Sequence, residues 1–284
     1  MQLRAQNIGP EMLAAAEAKA PRLFKTPFGV EAARGLISGV VFVYLLWAVA
    51  EMGMTWDRFF GGFEKLGHVL FLMWPPNDAG FFWDFMNGLG ETLGMAFIGT
   101  LVAAFVAVPL GFLGAKTVVG NPVLHFLVRR VFDVFRATPS LIWALIFIRA
   151  VGLGPMAGVL ALIMTDTAAF AKLYAEAIEN ADKRQVEGVV ASGAGGLLAL
   201  RFGVLPQVLP VMLSQGLYFF ESNVRSAAIF GIVGAGGIGY YLNERIRLQM
   251  WDQAAFIVIM FLIAVLIIDM ISFRIRKRLI GTKG

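Results

Sequence analysis

Six stretches of this chain run for close to twenty residues with almost no charge, and such stretches have few structural options. A helix needs about 20 apolar residues to cross the hydrocarbon core of a bilayer, where each backbone N–H and C=O must find its partner inside the segment. The runs lie near 35–54, 88–113, 126–150, 155–179, 208–232 and 253–273. The third is the weakest. Its uncharged part, Ala137 to Ile148, is short, so a full span has to draw Asp133 and Arg136 into its base. Composition points the same way: 58% of the 284 residues are hydrophobic and 15% charged, too little charge to cover a soluble domain of this length. The expected fold is an all-α integral membrane protein with about six transmembrane helices.

With six spans, both termini share one side, and Lys and Arg decide which. Sixteen fall on one set of segments: five before the first span, five after Ile271, and Lys116, Arg129, Arg130, Lys183, Arg184 and Arg201. Five fall on the other set: Arg58, Lys65, Arg149, Arg245 and Arg247. The bias puts both termini in the cytoplasm. The formal charge of +5 reflects that topology and requires no nucleic-acid partner. Residues 1–34 are polar, with no early apolar core, so the first span is expected to act as its own insertion signal. There is no cysteine, hence no disulfide framework and no thiolate metal site, and His68 and His125 stand apart. A membrane enzyme would need a cluster of titratable groups or a metal site, and none is visible. The external connection 51–87 is rich in aromatics, including Trp56, Phe59, Phe60, Trp74, Phe81, Phe82 and Trp83, and reads as amphipathic helix at the membrane interface.

Two glycine-rich runs invite nucleotide-binding readings that their context excludes. "GAGGIG", Gly234 to Gly239, has dinucleotide-turn spacing, but it follows a membrane span rather than a strand. Its glycines suit a chain turn and close helix approach. "GFLGAKT", Gly111 to Thr117, lacks phosphate-loop spacing, since Ala115 precedes Lys116. Any ATP that drives transport, with its Mg, is therefore expected on a separate partner subunit, and no cofactor in this chain.

Charges inside spans cost roughly 2.5–3.5 kcal/mol each at a helix centre and so mark structure or pathway. Glu221 and Arg225 stand at i and i+4 in the favourable order for a helical pair. They read as a mutually neutralising pair, or else Arg225 faces a water-filled path and meets an anion in passage. Asp166, between Thr165 and Thr167, has no partner in its own helix; it pairs across helices with Arg136 or Arg225, or lines the path. Glu91 lies near the outer end of its span, within reach of water.

The stretch "VEGVVASGAGGLLALRFGVLPQVLP", Val186 to Pro210, sits between two spans on the cytoplasmic side. Glu187 opens a short small-residue helix, Gly193 permits a turn, a second short helix follows, and the prolines break the helix where the chain re-enters the membrane. Such a hairpin suits a groove on a soluble partner. The spacing of Glu187, Gly193, Leu205 and Pro206 resembles the E-A-A-x3-G-x9-I-x-L-P loop of ABC importer permeases, departing from it at Gly188, Val189 and Gly203. "PLGFLGAK", "RATPSLIWALIFIRAVGLGPMAGVLAL", "KLYAEAIEN", "GVLPQVLP" and "FESNVRSAAIFGIVGAGGIGYYL" follow in order. Together they are similar to the phosphonate-type permeases over about residues 85–280.

That resemblance implies a type I ABC importer permease core. It divides the chain into a cytoplasmic segment 1–34, a first helix and external connection 35–87, a five-helix core 88–275 with a coupling loop 180–207, and a basic tail 276–284. It implies no catalytic residue. Glu187, Ser192, Gly193, Ala194, Leu205 and Pro206 would couple to the ATPase, and Arg136, Asp166, Glu221 and Arg225 form a candidate path or intramembrane charge network. Implied partners are a second copy of the chain, two ATP-binding cassette subunits, a periplasmic or lipid-anchored substrate-binding protein and membrane lipid. The implied setting is the bacterial cytoplasmic membrane, and the implied cargo phosphonate, phosphite, hypophosphite or phosphate. Rivals are a permease for another small solute, such as an amino acid, and a secondary transporter, which usually shows two related halves.

Overall fold

The computed structural model describes residues 28–53 and 55–280. Most of the expected segment 1–34, and residues 281–284 of the basic tail, lie outside them. The regular structure of the described residues is helical, with no strand among them. They fall into two units, divided between His68 and Val69.

The first unit holds α1 (Phe28–Glu51) and most of α2 (Trp56–Leu72). The spanning window of α1 has a mean hydropathy of 1.8 and buries none of its residues, as suits a helix solvated by lipid. In α2, Trp56, Phe59, Phe60, Phe63, Leu66 and Leu70 recur at helical spacing along one stripe, with Asp57, Arg58, Glu64, Lys65 and His68 around the rest. Its rings stack along the stripe, Trp56 on Phe60 and Phe59 edge-on to Phe63.

The second unit is a helix bundle built on α3 (Phe82–Gly114) and α6 (Pro155–Glu179), which pack on each other more extensively than any other pair. Small residues make that contact possible. Ala96, Ala103 and Ala107 of α3 and Ala157, Ala161, Ala168, Ala171 and Ala175 of α6 are buried. A Cβ on Gly99 would stand 2.7 Å from Leu162 Cβ, and one on Gly111 would stand 2.7 Å from Tyr174 Cβ. Where lipid is as apolar as the side chains, close backbone approach and dispersion hold helices together.

The third expected span is not one helix. α4 (Pro122–Ala137) and α5 (Ser140–Val151) meet at a bend of 82°. Pro139 has no N–H to continue the ladder and forces Thr138 into extended backbone, φ −82° and ψ 122°. Asp133 and Arg136 therefore sit on α4 and not in the base of a continuous span. Asp133 instead takes the charge of Lys172 on α6, 2.6 Å away, and Arg129 pairs with Glu179 at 3.0 Å. These two ion pairs pin α4 against α6. Among the described residues five helices are long and apolar enough to cross a membrane, six if the bent pair counts as one span.

The fifth expected span is longer than its apolar run. α7 (Lys183–Ala191) and α8 (Gly196–Ala199) lead into a π turn, Leu200–Val204, and then α9 (Leu205–Phe230) and a second π turn, Gly231–Ala235. The helix that starts at Gly196 runs on into the second π turn and is interrupted there at Gly234, whose φ of 110° is not helical. The prolines do not break it, contrary to expectation. Leu205 N–H reaches back to Leu200 O, so the π turn absorbs an extra residue, and Pro206 falls in the first turn of α9, where its missing N–H costs little. Short α10 (Ile238–Arg247) and long α11 (Trp251–Ile280) complete the unit.

Candidate functional site

The hairpin at 183–207 is assembled by local signals. Asp182 caps α7 by accepting from Arg184 N–H at 2.9 Å. Ser192 Oγ donates to Val189 O at 2.7 Å at the other end, and Gly193 turns the chain at φ +87°, a conformation glycine adopts without strain. The base is closed by Gln207. Its Oε1 accepts from Asp182 N–H at 2.8 Å, and its Nε2 donates to Gly203 O at 2.6 Å and Asp182 O at 3.3 Å. One side chain thus ties the entry of α7 to the entry of α9.

Gly203 replaces a larger residue of the resembling motif, and packing gives the reason. A Cβ there would stand 3.0 Å from Val186 Cα, so the glycine lets α7 lie close against the π turn. Glu187, Ser192, Gly193 and Pro206 are exposed, and Ala194 and Leu205 half-buried. Beside them Val190, Leu198 and Phe202 are exposed, and Leu197 is 84% exposed. Apolar side chains on a tip held rigid at its base form a surface suited to a protein groove.

The intramembrane polar residues separate into two groups. Asp166 pairs with neither Arg136 nor Arg225. Buried on α6, it accepts a hydrogen bond from Asn223 Nδ2 on α9, and the same amide donates to Thr100 Oγ1 on α3 at 2.8 Å. Thr100 Oγ1 in turn donates a hydrogen bond to Ala96 O at 2.7 Å. Three helices therefore meet at one hydrogen-bonded cluster. Arg136 lies apart from it, exposed in the last turn of α4.

Glu221 and Arg225 do approach each other, at 3.4 Å, but the closer partner of Glu221 is Arg276 of α11, at 2.9 Å. Arg225 also stands 3.7 Å from Asp269, beyond hydrogen-bond distance. Two cations and two carboxylates thus balance between α9 and α11, with Arg276 holding Glu221 and Arg225 loosely held. Sequence reasoning missed Arg276 because it was counted with the basic tail. It missed Asn223 because a neutral amide raises no charge signal, although an amide in a span is itself costly unless bonded.

The "GAGGIG" run is a packing device. Glu91 accepts from Gly237 N–H and Thr92 Oγ1 from Ile238 N–H, each at 2.9 Å, so α3 caps the start of α10. Gly237 sits so near Thr92 Oγ1 that no side chain fits between them. Glu91, exposed as expected, therefore has a structural task.

Comparison with known proteins matches residues 107–281 to the family described as the inner membrane component of binding-protein-dependent transport systems. The putative phosphite transport system permease protein HtxC of Stutzerimonas stutzeri is 36% identical over 198 residues, 70% of each chain. The phosphate-import permease protein PhnE of Mycolicibacterium smegmatis is 40% identical over 190 residues, 67% of this chain and 36% of that one. The putative cryptic phosphonate transport system permease protein PhnE2 of Escherichia coli is 45% identical over 121 residues, 43% of this chain and 99% of that one. Among solved structures, an inward-facing form of the MetNI methionine ABC transporter superposes with a TM-score of 0.61 at 23% identity, covering 70% of this chain and 97% of that one. That likeness gives the fold, the type I importer arrangement. Membership implies an ATPase and a substrate-binding protein as partners and a transport role rather than catalysis in this chain. The chain belongs to the binding-protein-dependent transport system inner membrane components and is the permease subunit of an ABC importer.

Proposed function

We propose that this permease carries a small phosphorus oxyanion, such as phosphonate, phosphite, hypophosphite or phosphate, into the cytoplasm of a bacterium. One observation supports that cargo above others. Relatives named for phosphite or phosphate transport are 35–40% identical over 66–70% of the chain, whereas D-methionine permeases are 27–29% identical over 52%. The permease sits in the cytoplasmic membrane with both termini inside, as its Lys and Arg distribution favours. It pairs with a second copy of itself, although Escherichia coli chains named PhnE1 and PhnE2 both resemble it, which makes a distinct second chain the competing arrangement. Its 183–207 hairpin docks on the ATPase, with Glu187, Ser192, Gly193 and Ala194 at the tip and Leu205 and Pro206 at the root. Nucleotide and Mg belong to that partner.

The test is uptake by cells that lack phosphorus-anion importers and express this chain with its ATPase and binding protein. Labelled phosphite, methylphosphonate or phosphate should enter only when all three proteins are present. Uptake of methionine, with none of the three phosphorus anions, would overturn the cargo.

A further inference from the structure

One face of α9 is unlike the surface a membrane helix shows to lipid. Ser214, Gln215, Tyr218, Ser222, Arg225 and Ser226 recur at helical spacing along it, between Val211 at one end and Ile229 at the other. Tyr218 is 53% exposed and the Arg225 side chain 47% exposed, with the serines partly open. From Ser214 to Ser226 the strip is about 18 Å long at 1.5 Å per residue, more than half the thickness of a hydrocarbon core. The neighbouring face is its opposite. Leu209, Leu213, Leu217 and Phe220 line a cleft of about 660 Å³ walled by apolar side chains of α3 and α11. The helix thus has an apolar side and a polar side within one span.

We propose that the polar face of α9 lines the water-filled path and that Arg225 is the group the anionic cargo meets on its way through. The proposal rests on the reading that the cargo is an anion. Hydroxyls and a guanidinium exposed along a span need water or polar partners, because hydrocarbon offers none. The ion pairs fit this role. Glu221 is already engaged by Arg276 at 2.9 Å, while Arg225 holds Glu221 only at 3.4 Å and Asp269 at 3.7 Å. The two carboxylates orient Arg225, yet leave donors of its planar fork free for a tetrahedral oxyanion.

The chain contains no cysteine, so single-cysteine variants report on one position at a time. In the assembled importer, Ser222→Cys and Leu213→Cys are treated with a negatively charged and a positively charged methanethiosulfonate, and modification is read from the mass of this chain. Ser222→Cys should react about tenfold faster than Leu213→Cys, as a wet site does relative to one under hydrocarbon. Adding Arg225→Gln to Ser222→Cys should slow the anionic reagent about fivefold relative to the cationic one, and Arg225→Lys should restore the preference. Arg225→Gln should also lower phosphite uptake about tenfold in complexes that assemble normally.

Equal reactivity at the two cysteines would mean that a second permease chain or lipid seals the face, and would overturn the proposal. So would a charge preference indifferent to Arg225→Gln. If the labelling pattern holds and no phosphorus anion is taken up, the cargo reading fails and the path assignment stands.

Discussion

Replacing Asn223 by leucine keeps the branching at Cγ and the number of side-chain heavy atoms and removes the amide that joins three helices. Asn223 and Asp166 are each 5% exposed, so no solvent replaces what is lost. The amide gives up its bonds to Asp166 and to Thr100 Oγ1, while Thr100 keeps its bond to Ala96 O. Hydrogen bonds between membrane helices average about 0.6 kcal/mol and reach about 1.7, so two of them are worth about 1–3 kcal/mol. Stranding the Asp166 carboxyl group pushes the loss toward the upper end of that range. The assay is equilibrium unfolding of the purified chain in mixed micelles by SDS titration, for Asn223→Leu, Asp166→Leu and the double variant. The double variant should be less destabilised than the sum of the singles by about 1 kcal/mol, because each single change leaves a buried polar group without its partner. Additivity within about 0.5 kcal/mol, or a wild-type midpoint for Asn223→Leu, would refute the cluster as a source of stability.

Proline at Gly193 cannot adopt φ +87°, so Gly193→Pro should abolish transport-coupled ATP hydrolysis while leaving insertion intact; Glu187→Lys should weaken ATPase association by charge alone. Pull-down of the ATPase by each variant, with normal transport as the contrary result, decides both. Arg276→Gln should reduce the yield of folded permease more than Arg225→Gln, because Arg276 is the closer partner of the 14%-exposed Glu221; equal yields on size-exclusion chromatography would contradict the ranking. Gly99→Val places a branched side chain against Leu162 and should cost about 1–3 kcal/mol by overpacking, seen as a lower thermal midpoint. A cysteine at Arg278 should resist membrane-impermeant reagent in intact cells and react after lysis; labelling in intact cells would reverse the topology.

Hydropathy located the spanning helices because twenty apolar residues in a row have almost no other stable use. It missed the 82° bend, since the average over residues 126–150 stays apolar whether or not a proline interrupts the ladder. The signal was in the sequence as Thr138–Pro139 and needed weighing above hydropathy. Pro206 misled in the other direction. Proline usually ends a helix, but here a π turn, with Leu205 N–H bonded to Leu200 O, carries the helix into Pro206. The hairpin was legible because the spacing of Glu187, Gly193, Leu205 and Pro206 is local. The Asn223 cluster and the Arg276–Glu221 pair were not, because partners 57 and 55 residues apart are chosen by packing.

The rod that begins in the hairpin also has mechanical consequences. From Gly196 to the break at Gly234 the helix extends on the order of 60 Å, roughly twice the hydrocarbon thickness, so a push at Leu197 has leverage on the far end of the span. The rod is stiffest in its middle, the 26 residues of α9, and each end is joined through a π turn where the ladder is looser. Such a member behaves as a strut between two compliant couplings. A tilt of about 5° about the midpoint displaces each tip by about 2.6 Å for a rod of that length. Gln207, clamped to Asp182 just above the lower coupling, sets where the lever is gripped. Force applied to α7 is thus delivered to α9 at its root, and the strut carries it to the glycine turn that α3 holds at the other end.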